Sequence, residues 1–185
     1  MQVFPADGCC SIPATSTLQA GGCADGDIMT DELQGRAAQI GAIRERAEAD
    51  MLRIGVDTAF IDRLVDAFYG RIRTHPLLGP VFEARLAGRW PEHMEKMKRF
   101  WSSVALRSGA YGGKPVQAHV GLPGMKQELF PAWLALFAET LNDIAPTPEA
   151  RDWFMTTAER IAKSMFLSLF YNPADDDPAK RPADG

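Results

Sequence analysis

The stretch Asp57-Thr58-Ala59-Phe60-Ile61-Asp62-Arg63-Leu64-Val65-Asp66-Ala67-Phe68-Tyr69-Gly70-Arg71-Ile72-Arg73-Thr74-His75-Pro76 decides the fold class. Its apolar residues Phe60, Ile61, Leu64, Val65, Phe68 and Ile72 recur every three or four positions, the period of one face of an α-helix. Asp57 or Thr58 supplies an N-cap oxygen. His75-Pro76 ends the run, because the residue before a proline is pushed out of the helical region.

The same period continues on both sides. Residues 31–53 are rich in Ala, Glu, Arg and Gln, which favour helix. Their apolar stripe is Leu33, Ala37, Ile40, Ile43, Ala47 and Met51. Downstream, Leu77 to Arg89 reads as an irregular link broken by Gly79-Pro80 and Gly88. Trp90-Pro91-Glu92 reads as a helix start with proline in the first turn, running to about Leu106. Pro115 opens a very short helix ending near Val120-Gly121. Further helices are predicted at about Lys126 to Ile144 and, after Pro146-Thr147-Pro148, at about 148–171. No segment alternates with period two and no hairpin signal occurs. The fold class is therefore all-α, with about six helices.

The predicted organisation is a disordered tail at 1–30, a lead-in helix at 31–54, one domain at 55–171 and an acidic, proline-rich tail at 172–185. Cys9, Cys10 and Cys23, the full cysteine complement, lie in the first tail. An odd number there makes no disulfide framework. The tail lacks the basic start and apolar stretch of a signal peptide, so a reducing, cytoplasmic setting is expected. Of the 185 residues 46% are hydrophobic and the net charge is -4. That composition suits a globular core and lacks the basic face of a nucleic-acid binder. No apolar run has the roughly 20 residues of a membrane span.

Only three histidines occur. His75 sits at a helix end, where capping is the ordinary role. His93 shares a helix face with Met97 and Phe100, a position equally suited to a hydrogen-bonded core residue. His119, on a short element between Pro115 and Pro123, is held at a fixed position, which suits a metal ligand as well as a packed side chain. Paired Glu-x-x-His motifs, His-Glu-x-x-His, a phosphate loop and a Gly-x-Ser-x-Gly elbow are all absent. An isolated histidine on a helical frame then points to a cofactor that brings most of its own coordination. Haem needs one protein ligand and an apolar slot, which Phe82, Met97, Phe100, Trp133 and Phe137 can line.

From about Ile61 to Phe170 the sequence resembles the truncated haemoglobins, most closely group III. The resemblance lies in Phe68-Tyr69, Pro76-Leu77-Leu78-Gly79-Pro80-Val81-Phe82, Trp90-Pro91-Glu92-His93 and Phe100-Trp101. Tyr111-Gly112-Gly113-Lys114-Pro115, His119 with Leu122-Pro123, and Phe130-Pro131-Ala132-Trp133-Leu134-Ala135-Leu136-Phe137 complete it. The order of these pieces and the spacing from His93 to His119 fit that group. The glycine pairs of groups I and II are not in their usual places.

The resemblance implies a truncated globin fold, two helices over two, here with an extra N-terminal helix, enclosing haem b. It makes His119 the proximal iron ligand and Tyr69, His93 and Trp133 the distal residues. Phe82 is implied to pack on the haem face and Lys96 to pair with a propionate. O2, NO or CO are the implied ligands. Distal O–H and N–H donors would retain O2, which has partial negative charge when bound. That suits O2/NO redox chemistry, such as NO dioxygenase or peroxidase-like activity with an external reductase, better than storage. The competing readings are a non-haem helical sensor or protein-interaction module, and a protein-only metal enzyme.

Overall fold

The computed structural model describes residues 25–171, with side chains from residue 32 onward. Those residues form seven helices and no strand: α1 (Asp25–Arg53), α2 (Thr58–Thr74), α3 (Leu78–Leu86), α4 (Trp90–Ala105), α5 (Pro115–His119), α6 (Leu129–Ile144) and α7 (Pro148–Phe170). Contacts divide the chain into two compact units, Met1–Ala38 and Gln39–Gly185, with the boundary inside α1.

One expectation is corrected in the first helix. Residues 25–30, read above as tail, are helical; the rest of that tail and the tail at 172–185 lie outside the described residues. The apolar stripe of α1 is not a core face. In the first unit Leu33 is 61% exposed; in the second, Ile40 and Ile43 are each 51% exposed, and of the stripe only Met51 is buried. Periodicity reported the helix, not what covers it.

The second unit carries the core. α2 packs on α3, α4 and α6, and α6 on α7, giving the helix pairs α2–α4 and α6–α7 of a two-over-two arrangement. The α2 stripe behaves as the sequence predicts: Phe60, Ile61, Leu64, Val65, Phe68 and Ile72 are buried, and the Asp57 carboxylate accepts from the Phe60 N–H at 2.6 Å. Between the pairs, the Phe137 ring lies parallel to Trp101 on one side (5.4 Å, 11°) and Trp133 on the other (5.3 Å, 9°). Phe68 meets Phe137 edge-on at 4.9 Å. Each such ring pair adds about 0.5–1.5 kcal/mol to the burial term, so the wall that carries Trp133 is stiff.

The link at 77–89 is the main correction to the element order, because it contains α3. Pro80 falls in the first turn of that helix, where its missing N–H is one of the unpaired donors anyway. The free N–H groups of Leu77 and Leu78 both donate to His75 Nδ1 at 3.2 Å. His75 is thus a capping residue, as expected, but it caps the start of α3 with its ring while its backbone N–H closes α2 on the Ile72 carbonyl.

One turn fixes the base of α7. The Thr147 hydroxyl accepts from the Ala150 N–H at 3.1 Å and donates to the Ile54 carbonyl at 3.0 Å. Gly55, at φ +80°, lies so close to Pro146 that an added Cβ would sit 2.8 Å from that ring. Thr147→Ala removes the cap and the long-range bond together. It is expected to cost about 1–2 kcal/mol and to lower the thermal midpoint by several degrees. An unchanged melting curve would contradict this role.

Candidate functional site

Helices α2 to α7 of the second unit enclose a cavity of about 320 Å³. Its floor is apolar: Leu78, Val81, Leu86, Leu122, Met125 and Ile161 are among the lining side chains. Its chemistry comes from three short stretches. The first is α5, only five residues long. Pro115 starts it, and Gly121 at φ +71° and Pro123 close the chain behind it. His119 stands at its end, one turn from Pro115. Its Nδ1 is 2.7 Å from the Pro115 carbonyl oxygen, so this nitrogen carries the proton and donates. The other ring nitrogen is left as the lone-pair atom on a ring that lines the cavity, which is the arrangement of a metal-binding imidazole. The loop before α5 is held by Tyr111, whose N–H donates to the Ser103 hydroxyl at 2.8 Å and whose ring meets Phe100 at 5.1 Å. Gly113 passes over that ring so closely that a Cβ there would lie 2.4 Å from it.

The second stretch is the apolar face of α2 and α4. Tyr69 and His93 line the same cavity, their rings edge to face at 5.0 Å. Burial pushes the Tyr69 hydroxyl above its ordinary range, with Tyr111 adding to it. It remains a donor at any physiological pH, and it has no hydrogen-bond partner among the described residues. His93 Nε2 is fully buried and equally unpartnered. A buried polar atom without a partner is rare enough to call for a missing one. Burial, then Lys96 and His119, push the His93 imidazole down to about 4, so it is uncharged near neutral pH. The third stretch is α6, where Trp133 presents its ring to the cavity and its indole N–H likewise has no partner among the described residues.

Of the residues singled out from the sequence, His119, Tyr69, His93, Trp133, Phe82, Lys96, Met97 and Phe100 all line this one cavity. Phe137 does not. It is fully buried one layer behind the wall, where it backs Trp133. Sequence reading missed Arg85, Arg89 and Glu92, which stand with Lys96 at the rim, and Tyr111. Arg85 sits in the last turn of α3, and Arg89, past the turn at Gly88, reaches back to donate to the Arg85 carbonyl at 2.7 Å.

No protein-family model matches the chain. The curated Group 3 truncated hemoglobin ctb of Campylobacter jejuni is 36% identical over 114 residues, which span 60% of this chain and 88% of that protein. The chain belongs to the truncated haemoglobin family. The Group 2 truncated hemoglobin YjbI of Bacillus subtilis is 26% identical over 106 residues, 57% of this chain and 80% of the relative. The crystal structure of the group III truncated hemoglobin from Campylobacter jejuni superposes with a TM-score of 0.60 at 32% identity, over 63% of this chain and 93% of the other. Truncated haemoglobins are haem-binding globins, and the residues here fit that group. The cavity offers one fixed imidazole, apolar walls and a cationic rim of Arg85, Arg89 and Lys96 facing a single acid, Glu92. That rim complements a planar apolar group carrying carboxylates at its edge. The His93 Nε2 is a buried polar atom without a partner, on a side chain of the cavity wall. No described helix is long and apolar enough to cross a membrane.

Proposed function

We propose that the chain binds haem b in this cavity through His119 as the one protein ligand, and that it uses the bound cofactor for O2 and NO chemistry rather than O2 storage. The observation that carries the reading is the His119–Pro115 hydrogen bond, which fixes a lone-pair nitrogen on the wall of the cavity that Tyr69, His93 and Trp133 share. Haem supplies an iron centre that binds diatomic gases and exchanges electrons.

The protein's own part is orientation and electrostatics. Arg85, Arg89 and Lys96 hold the propionates at the rim. Phe82, Met97 and Phe100 exclude water from the ring faces. The Tyr69 O–H and Trp133 N–H donate to a ligand that gains negative charge, and the uncharged His93 adds a polar atom without a competing cation. Such donors slow O2 release, and long retention favours consumption of O2 over its delivery. The overall conversion proposed takes one NO, one O2 and one electron to one nitrate ion, the electron coming from an external reductase in the cytoplasm.

Hemin titration tests the cofactor assignment. Trp101 and Trp133 line the cavity, so their fluorescence is expected to be quenched with an end point of one hemin per chain. Fluorescence that is insensitive to hemin would contradict the reading.

A further inference from the structure

Trp90, the first residue of α4, is nearly buried yet is not on the cavity wall. It stands behind His93, one turn further along the helix, with the two rings perpendicular at 6.4 Å. Two helices hold it there. The indole N–H donates to the Glu83 carboxylate of α3 at 2.7 Å, and the Arg73 guanidinium from the end of α2 lies over the ring at 5.0 Å. The first bond is charge-assisted and the second is a cation–π contact, so both resist rotation of the ring. His93 therefore packs edge to face against both Tyr69 and a clamped indole. Nothing bonds to the buried Nε2 itself. The ring's contacts are with these two aromatic neighbours.

We propose that Trp90 is a positioning residue: held by Glu83 and Arg73, it keeps the His93 imidazole against Tyr69 and on the cavity wall. The ring then cannot swing toward solvent unless the Trp90–Glu83 bond opens. Control of ligand entry by this device rests on the distal role given to His93 above; the orientation of the ring does not.

The test uses the full chain and three variants. Glu83→Ala removes the acceptor at an exposed position, Trp90→Phe keeps a ring without a donor, and Glu83→Gln keeps an acceptor oxygen. NMR reads the cross-peak between the His93 and Tyr69 rings and the titration of His93. The groups facing His93 are Tyr69 from α2, Lys96 from its own helix and His119 from α5. In the wild type and Glu83→Gln the cross-peak is expected to be strong and the midpoint low. In Glu83→Ala and Trp90→Phe the cross-peak should weaken and the midpoint rise by about one unit or more toward the free value near 6.5, with His75 unmoved. An unchanged cross-peak and midpoint in folded Glu83→Ala overturns the proposal. So does an equal shift of His75, which means general loosening. If Trp90→Phe does not fold, Glu83→Ala decides. CO association after flash photolysis of the haem-loaded chain separates the two claims. A few-fold faster rate in Glu83→Ala supports the gate, whereas a wild-type rate with altered NMR refutes the gate and leaves the positioning role.

Discussion

His119→Ala is expected to abolish stable haem retention. The imidazole is the one side chain on the cavity wall whose lone-pair nitrogen is fixed by a hydrogen bond on the other side of its ring. Without it, only apolar packing and the rim cations Arg85, Arg89 and Lys96 hold the cofactor. The purified variant should lack a Soret band, and hemin added to it should pass rapidly to a competing apo-globin. The fold should survive, because His119 is only half-buried and α5 contributes no buried residue. Free imidazole fits the space vacated and should restore part of the absorbance. A Soret band equal to wild type in His119→Ala would reject the ligand assignment, and with it the orientation given to every other residue of the site.

Tyr69→Phe and Trp133→Phe should each speed O2 dissociation. Each removes one donor that has no partner among the described residues and that lines the cavity. A hydrogen bond to a charged or partly charged acceptor contributes about 1.5–3 kcal/mol, so each loss is expected to raise the dissociation rate by roughly 10- to 100-fold. The Tyr69 effect should be nearly independent of pH below about 9, because burial keeps the hydroxyl protonated well past its ordinary range. Both replacements keep a ring in place, so the edge contact of Phe68 on Tyr69 at 5.3 Å can persist. Stopped-flow traces for both variants that overlay the wild type would remove the basis for O2 retention and for the redox reading built on it.

How far the sequence carried this account depends on which side chains do the work. The α2 stripe was legible because its face meets other helices, so period and burial coincide. In α1 the period was just as clear, but Leu33, Ile40 and Ile43 are exposed; a stripe cannot report its own partner. α3 was not legible, since Gly79-Pro80 reads as a breaker when the cap comes from the ring of His75, just past the end of α2. That miss hid Arg85, which is carried to the cavity rim by the last turn of α3. Composition and spacing brought His119 no further than an open choice between ligand and packed residue. The resemblance proposed the ligand, and the structure adds that the His119 Nδ1 is bonded to the Pro115 carbonyl. The sequence places Phe137 among the residues able to line an apolar slot. Only the stacking of three rings shows that it lies one layer deeper.

The most direct test is the absorption spectrum of the haem-loaded chain in its reduced state, before and after CO. One protein ligand and an open opposite side predict a single broad visible band without CO, then a sharpened, shifted Soret band and two visible bands when CO is added. Two sharp visible bands before CO would show a second side chain, His93 first among the candidates, already on the iron. A chain that takes up no haem would contradict the account outright.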